Sequence, residues 1–251
     1  MHTDGTGISA AQLVAYRGGK SEGPENTLPS LARAAALGVA SEVDVRVAAD
    51  GVPVLAHDAS MLRTAGQDLV VEQTSSAMLR RVRACHGHDV RDPAEHRVPS
   101  LAEAFEVFEG ELVLDLRADA AGVREIAGVI DDCAAWDRVT IVSESEPTLR
   151  ALLTLRPTAR YGATRRRAWV RRLGTSLGLA PSRADVWMVP ERVGPLHVVS
   201  DRFMDAARRS GEEVWVWVVD DVPRAERLLA RGARRVMTTR PAHLLGLDAL
   251  T

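Results

Sequence analysis

Short apolar runs and longer amphipathic stretches alternate along the whole chain, and that rhythm predicts most of its elements. Leu13-Val14-Ala15 is a compact apolar run that ends at Tyr16-Arg17-Gly18-Gly19, the pattern of a buried strand opening into a loop. Leu28 to Leu37 is alanine-rich and amphipathic. Asn26 or Thr27 stands where a helix cap is needed, and Gly38 suits the C′ position. From Glu42 the spacing changes to period two, with Val43, Val45 and Val47 on one face of a strand and Glu42, Asp44 and Arg46 on the other. Ala49-Asp50-Gly51 turns the chain, Val52 to Ala56 runs back, and His57-Asp58 follows. The turn is too short for a crossover helix, so these two runs are expected to pair as an antiparallel hairpin.

The rhythm then continues. Helices are predicted over 72–83, 101–108, 121–134, 148–155, 165–173, 201–210 and 223–231, and strands over 112–116, 139–143, 159–162, 185–189, 213–219 and 235–238. Ser100 with Glu103 three residues on reads as a capping box. With the hairpin's return arm set aside, about eight strands remain, each separated from the next by a helical pattern. Over ~250 residues that count fits an α/β fold of the closed (β/α)₈ TIM-barrel type, with a small hairpin insertion after the second strand. The competing open, doubly wound sheet is disfavoured because no G-x-G-x-x-G follows the first strand. The expected organisation is a single domain over 1–251.

Composition changes this picture little. The 251 residues are 46 % hydrophobic, enough to bury a large core, and a formal charge of −2 gives no footprint for nucleic acid. Lys20 is the one lysine among 32 basic residues. Cys85 and Cys133 lie in unrelated segments and read as free thiols. No basic region followed by an apolar run opens the chain, and no apolar stretch approaches the ~20 residues that span a bilayer, so a cytoplasmic protein is expected.

The chemistry is carried by strand ends. In a barrel, functional groups sit where strands end at the C-terminal face, and Tyr16, Glu42, Asp44, His57, Asp115, Glu144 and Trp217 all fall at or near such ends. A lone E-x-D more often marks a solvated strand face. Asp115, in an otherwise apolar strand, is harder to dismiss, since a buried carboxylate needs a cation or donors. Three carboxylates at one mouth would bind Mg²⁺ or Ca²⁺ through oxygen, with His57 beside them as acid or base. Arg17 and Arg117 either bring positive charge for an anionic ligand such as phosphate or pair with the carboxylates as structural ion pairs. The loop Cys85-His86-x-His88 has the residue types of a zinc site without two ligand pairs, and Arg165-Arg166-Arg167 with Arg171-Arg172 reads as a solvated helix face.

At this point the chain resembles a known family, the glycerophosphodiester phosphodiesterases. The resemblance rests on Arg17-Gly18, Pro24-Glu25-Asn26-Thr27, Glu42-x-Asp44, Asp50-Gly51-x-Pro53-Val54, His57-Asp58, Leu62-Arg63-Thr64, Val98-Pro99-Ser100-Leu101, Trp217 and Thr238-x-Arg240-Pro241, spread over nearly the whole length. It implies a divalent metal on Glu42, Asp44 and Asp115, phosphate contacts from Arg17 and Arg117, and His57 as one of two proton-handling histidines. It further implies support of a loop or ligand by Glu25, a pocket wall at Trp217, and a small-molecule phosphate ester as partner.

The chain departs from the family pattern inside the pocket. The first histidine is Tyr16, the third carboxylate is the shorter Asp115, and the following lysine is Arg117. Glu144 stands after Ser143 where phenylalanine is expected, and Thr239 replaces an aspartate. Three readings follow: a phosphodiesterase with Tyr16 or a loop histidine in the lost role; a barrel turned to another metal-assisted reaction, such as elimination or cyclisation, with Tyr16, Glu144 and Glu146 as acid–base groups; or a non-catalytic binding protein.

Overall fold

The structure, a computed structural model, describes residues 7–163 and 184–247. The predicted helix over 165–173 lies outside them.

β1 (Leu13–Ala15), β2 (Ala40–Val47), β4 (Leu112–Leu116), β5 (Val139–Val142), β6 (Val186–Pro190), β9 (Glu213–Trp217) and β10 (Arg235–Thr238) form a parallel sheet in the order β5-β4-β2-β1-β10-β9-β6. Registers such as Val14↔Met237, Asp44↔Asp115 and Met188↔Trp215 keep the strands in step. The eighth position is filled by the chain at 161–162. Tyr161 bridges Ile141 of β5 and Gly162 bridges Val186 of β6, both in parallel sense, which joins the two ends of the sheet into a ring. Instead of the predicted strand over 159–162, only these bridges form. Glycine at 162 is required, because a Cβ there would stand 2.6 Å from Val142 Cγ1.

Between the strands run α1 (Leu28–Ala36), α4 (Leu101–Val107), α5 (Val123–Asp132), α6 (Glu146–Leu155), α7 (Asp201–Arg209) and α8 (Val222–Ala230), and α9 (Pro241–Leu244) follows β10. The period-two strands separate their side chains as expected. Val43, Val45, Leu112, Leu114 and Ile141 join helix residues such as Leu31, Phe105, Ile126 and Phe203 in the main core, while Val14, Val113, Val186, Trp215 and Met237 pack together as the filling of the barrel. The barrel-facing rows continue upward into the polar residues described below.

The insertion has a core of its own. β3 (Pro53–Leu55) pairs antiparallel with β2 in the register Val45↔Leu55, as the short turn demanded. Val54, Met61, Val71, Leu79, Val82 and Val98 close over one another beneath α2 (Leu62–Ala65) and α3 (Ser76–Leu79). The helix predicted over 72–83 is not continuous: a 3₁₀ turn at Val71–Gln73 is followed by extended Thr74 and only then by α3. Thr74 Oγ1 donates to Val70 O, and the Asp50 carboxylate accepts from Ser76 N and Oγ. The Thr74 hydroxyl and the Asp50 carboxylate here take backbone partners that a continuous helix would have used. One element was unforeseen, a two-plus-two hairpin of β7 (Arg192–Val193) and β8 (Leu196–His197) directly after β6.

Candidate active site

The C-terminal ends of the strands enclose a cavity of about 550 Å³. Tyr16, Glu42, His57, Asp115, Arg117, Glu144 and Trp217 all line it. The barrel therefore gathers residues from six places in the chain, as their positions at strand ends implied.

Three consecutive left-handed residues, Arg17 (φ 53°), Gly18 (φ 77°) and Gly19 (φ 84°), fold the chain sharply after β1. That turn aims Arg17 N at Glu42 Oε2, 2.8 Å away. The Arg17 side chain is 8 % exposed: Nη1 donates to Glu25 at 3.0 Å, Nη2 donates to the Tyr16 hydroxyl at 3.0 Å, and Nε lies 3.2 Å from Asp44 as an ion pair without a hydrogen bond. Arg117 bridges two carboxylates, donating from Nε to Asp44 Oδ1 at 3.0 Å and from Nη2 to Asp115 Oδ2 at 2.7 Å. Both arginines thus form the ion pairs that were one of their two expected roles. Arg17, expected to bind phosphate, and Glu25, expected to support a loop or a ligand, do not line the cavity, and neither does fully buried Asp44, whereas Arg117 does.

Glu42, Asp44 and Asp115 each offer a carboxylate oxygen within 4.8 Å of the others. Burial, reinforced by Asp44 and Asp115, drives the Glu42 carboxyl well above its ordinary range. Asp115 is pushed up to about 7 by burial, with Asp44 and Glu144 adding to the effect against the opposing pull of Arg117. Asp115 Oδ1 is buried without a hydrogen-bond partner. Three crowded carboxylates, two of them reluctant to ionise and one with an orphaned oxygen, form a donor set that suits a hard divalent cation. Among the described residues this is the one such group of three, and Cys85-His86-x-His88 does not form another.

His57 sits at the end of β3. Its Nδ1 is 2.6 Å from Asp58 Oδ1, which makes Nδ1 the protonated nitrogen and leaves Nε2 for a ligand. Asp58 is held in turn by Arg63 Nε at 2.6 Å, and Arg63 reaches Glu25 with both terminal nitrogens, at 2.9 and 2.6 Å. Burial would raise Glu25, yet Arg63 and Arg17 outweigh it and keep the carboxyl below its ordinary value. Tyr16 behaves oppositely: burial and the nearby Glu42 charge push its phenol up to about 12, against Arg17.

Two supporting residues carried no functional signal in the sequence beyond their place in motifs. Asn26, in a left-handed conformation (φ 55°), donates from Nδ2 to Asp44 Oδ2 at 3.0 Å and accepts from Asp44 N at 3.1 Å. Thr27 occupies the helix N-cap position, but its hydroxyl donates to Pro24 O instead of capping. The second such residue is Arg63. Asparagine's tolerance of the left-handed region was the one available hint for Asn26.

With the geometry in view, the comparisons with known proteins agree among themselves. The model of the glycerophosphoryl diester phosphodiesterase family matches residues 17–243. A probable glycerophosphodiester phosphodiesterase 2 of Mycobacterium tuberculosis is 28 % identical over 231 residues, covering 86 % of this chain and 82 % of that protein. Glycerophosphodiester phosphodiesterase 1 of Bos taurus is 38 % identical over 98 residues, which is 36 % of this chain but only 28 % of that longer protein. In structure, a phosphodiesterase of Oleispira antarctica in complex with its product sn-glycerol-3-phosphate superposes with a TM-score of 0.79 at 22 % identity, covering 95 % of this chain and 96 % of that one. That likeness speaks to the fold alone.

Proposed function

Because the chain belongs to the glycerophosphoryl diester phosphodiesterase family, we propose that it is a divalent-metal-dependent phosphoric diester hydrolase acting on a glycerophosphodiester or a related phosphate ester. One observation carries the reading: Glu42, Asp115 and His57 line a single cavity at the barrel mouth, with buried Asp44 clustered beside the two carboxylates and Asp58 paired with His57. Glu42, Asp44 and Asp115 would hold Mg²⁺ or Ca²⁺, which supplies Lewis-acid polarisation of a phosphoryl oxygen when bound.

The chain's own residues then divide the remaining work. His57 presents Nε2 and moves a proton between the cavity and the departing or attacking oxygen, with Asp58 fixing its tautomer. Tyr16, held protonated, is a hydrogen-bond donor to a phosphate oxygen and not a base at neutral pH. Arg117 commits Nε and Nη2 to carboxylates and keeps Nη1 for the anion. Trp217 and Glu144 form part of the pocket wall. Arg17 and Glu25 act at one remove, as positioning residues. No helix among the described residues is long and apolar enough to cross a membrane, and the reading takes the chain as a cytoplasmic, single catalytic domain that binds a small molecule and no nucleic acid.

A second reading draws on Tyr16. With a phenol where the family has an imidazole, the cavity suits a metal-assisted reaction on a phosphate or diphosphate that needs one proton-transfer group, such as an elimination or cyclisation. Turnover of glycerophosphocholine and glycerophosphoethanolamine with and without Mg²⁺ or Ca²⁺ separates the two. The first reading expects metal-dependent release of the alcohol, abolished in His57→Ala and lowered about tenfold in Tyr16→Phe. An inert wild type that gains turnover as Tyr16→His would overturn it in favour of the second.

A further inference from the structure

The strand that ends at the cavity continues into an element with no place in the mechanism above. β6 sends Met188 and Pro190 to the cavity wall, and the chain then makes the β7–β8 hairpin at its rim. Two-residue strands do not hold together unaided. The base of this hairpin is fastened instead by Val198 N donating to Glu191 O at 2.9 Å and by Arg224 Nε donating to Glu191 Oε2 at 2.6 Å. Its tip is Val193-Gly194-Pro195-Leu196. Val193 and Leu196 stand directly opposite each other, 42 % and 52 % exposed, and Arg192 pairs across with His197 just below them.

A well-anchored hairpin that shows two large apolar side chains to water has a use for them. Val193 is itself part of the cavity lining, so the exposed tip and the cavity form one surface. The cavity is polar at the carboxylates on β2 and β4, and apolar across the ring, where Met188 of β6 and Trp217 of β9 make the wall, with Val142 continuing it beside Asp115. Glycerol hydroxyls against that wall would lose their water partners without replacement. An alkyl chain loses nothing there and gains burial.

We propose that the substrate is an amphiphilic phosphodiester, with its phosphate at the carboxylates and an apolar chain running along Val142, Met188 and Trp217 and out over the Val193–Leu196 tip. The chain supplies binding energy away from the reacting phosphorus. This rests on the phosphodiester reading of the same site.

The test is a series of alkylphosphocholines, from butyl to dodecyl, titrated as monomers in the presence of Ca²⁺ into His57→Ala protein so that turnover does not interfere. All members share one phosphodiester head, so affinity reports the chain alone. Affinity is expected to rise at least tenfold from butyl to dodecyl. Leu196→Asp, with an unchanged melting temperature, is expected to reduce that ratio several-fold. Affinity independent of chain length, or a ratio indifferent to Leu196→Asp, overturns the proposal. A parallel wild-type assay with lysophosphatidylcholine and glycerophosphocholine keeps the two readings apart. Chain-dependent binding with neither diester hydrolysed removes the phosphodiesterase reading and leaves the chain site; hydrolysis of glycerophosphocholine with flat binding does the reverse.

Discussion

Arg63 is half exposed and lies outside the cavity, yet its replacement by methionine is expected to be costly. Its guanidinium makes three charge-assisted hydrogen bonds, two to Glu25 and one to Asp58. Their worth differs. Asp58 is 34 % exposed and Arg63 50 %, so that pair is screened by water and contributes at most about 1 kcal/mol. Glu25 is only 8 % exposed, and Arg63→Met leaves its carboxylate in the protein with Arg17 alone. Hydrogen bonds to a charged group contribute roughly 1.5–3 kcal/mol, which half exposure of the donor brings down to about 1–2 kcal/mol for the fork. The sum is ~2 kcal/mol, or roughly 4–8 °C of melting temperature for a chain of this size.

The pH dependence of that loss follows from Glu25. Its carboxyl lies below the ordinary value of 4.5 in the folded protein, so its stabilisation is complete above that value and disappears as pH falls through the folded one. The wild-type and Arg63→Met melting temperatures should therefore differ fully at pH 7 and draw together as pH falls below 4.5. Scanning calorimetry across pH 3.5–8 reads both quantities. A gap that is the same at pH 3.5 and pH 7 would refute the electrostatic argument. Arg63→Lys should recover little, since one ammonium cannot span two carboxylates as the fork does. Function supplies a second readout: with Asp58 released, His57 loses its brace, and kcat should fall while KM holds.

Two further expectations concern the metal and the first turn. Saturating Mg²⁺ or Ca²⁺, at a hundredfold over Kd, should stabilise the wild type by about 2.7 kcal/mol, and Asp115→Asn should remove most of that gain in a thermal-shift titration. Gly18→Ala should destabilise by about 2–4 kcal/mol in chemical denaturation, because it places a Cβ at φ +77° and 2.8 Å from Ser30 Cβ.

How far the sequence revealed this site depended on the range of each interaction. The β2–β3 hairpin was readable because a three-residue turn leaves one solution, and the period-two spacing of β2 set Glu42 and Asp44 on one face. The strand-end rule then gathered Tyr16, His57, Asp115 and Trp217 with no knowledge of side-chain contacts. What failed was of two kinds. The helix over 72–83 yielded to Thr74 and Asp50, whose side chains compete for backbone groups in ways that apolar spacing does not register. The hairpin at 192–197 has strands too short to show any period. Asn26 and Arg63 do their work across 18 and 38 residues of sequence, and nothing local marks a side chain that meets its partner only after folding.

The ion pairs behind the cavity also set the charge that an arriving cation meets. From Asp58 the contacts run through Arg63, Glu25, Arg17, Asp44 and Arg117 to Asp115, acid and base in strict turn, with Glu42 attached at the Arg17 backbone. Five carboxylates meet three guanidinium groups, so the fully ionised set carries two negative charges in excess. Glu42 and Asp115 resist building up that surplus and favour their protons, and a single dication in their place cancels the two charges that would otherwise repel an anionic phosphodiester. Cation binding is therefore tied to proton release, and a monovalent ion would leave one of the two negative charges uncancelled.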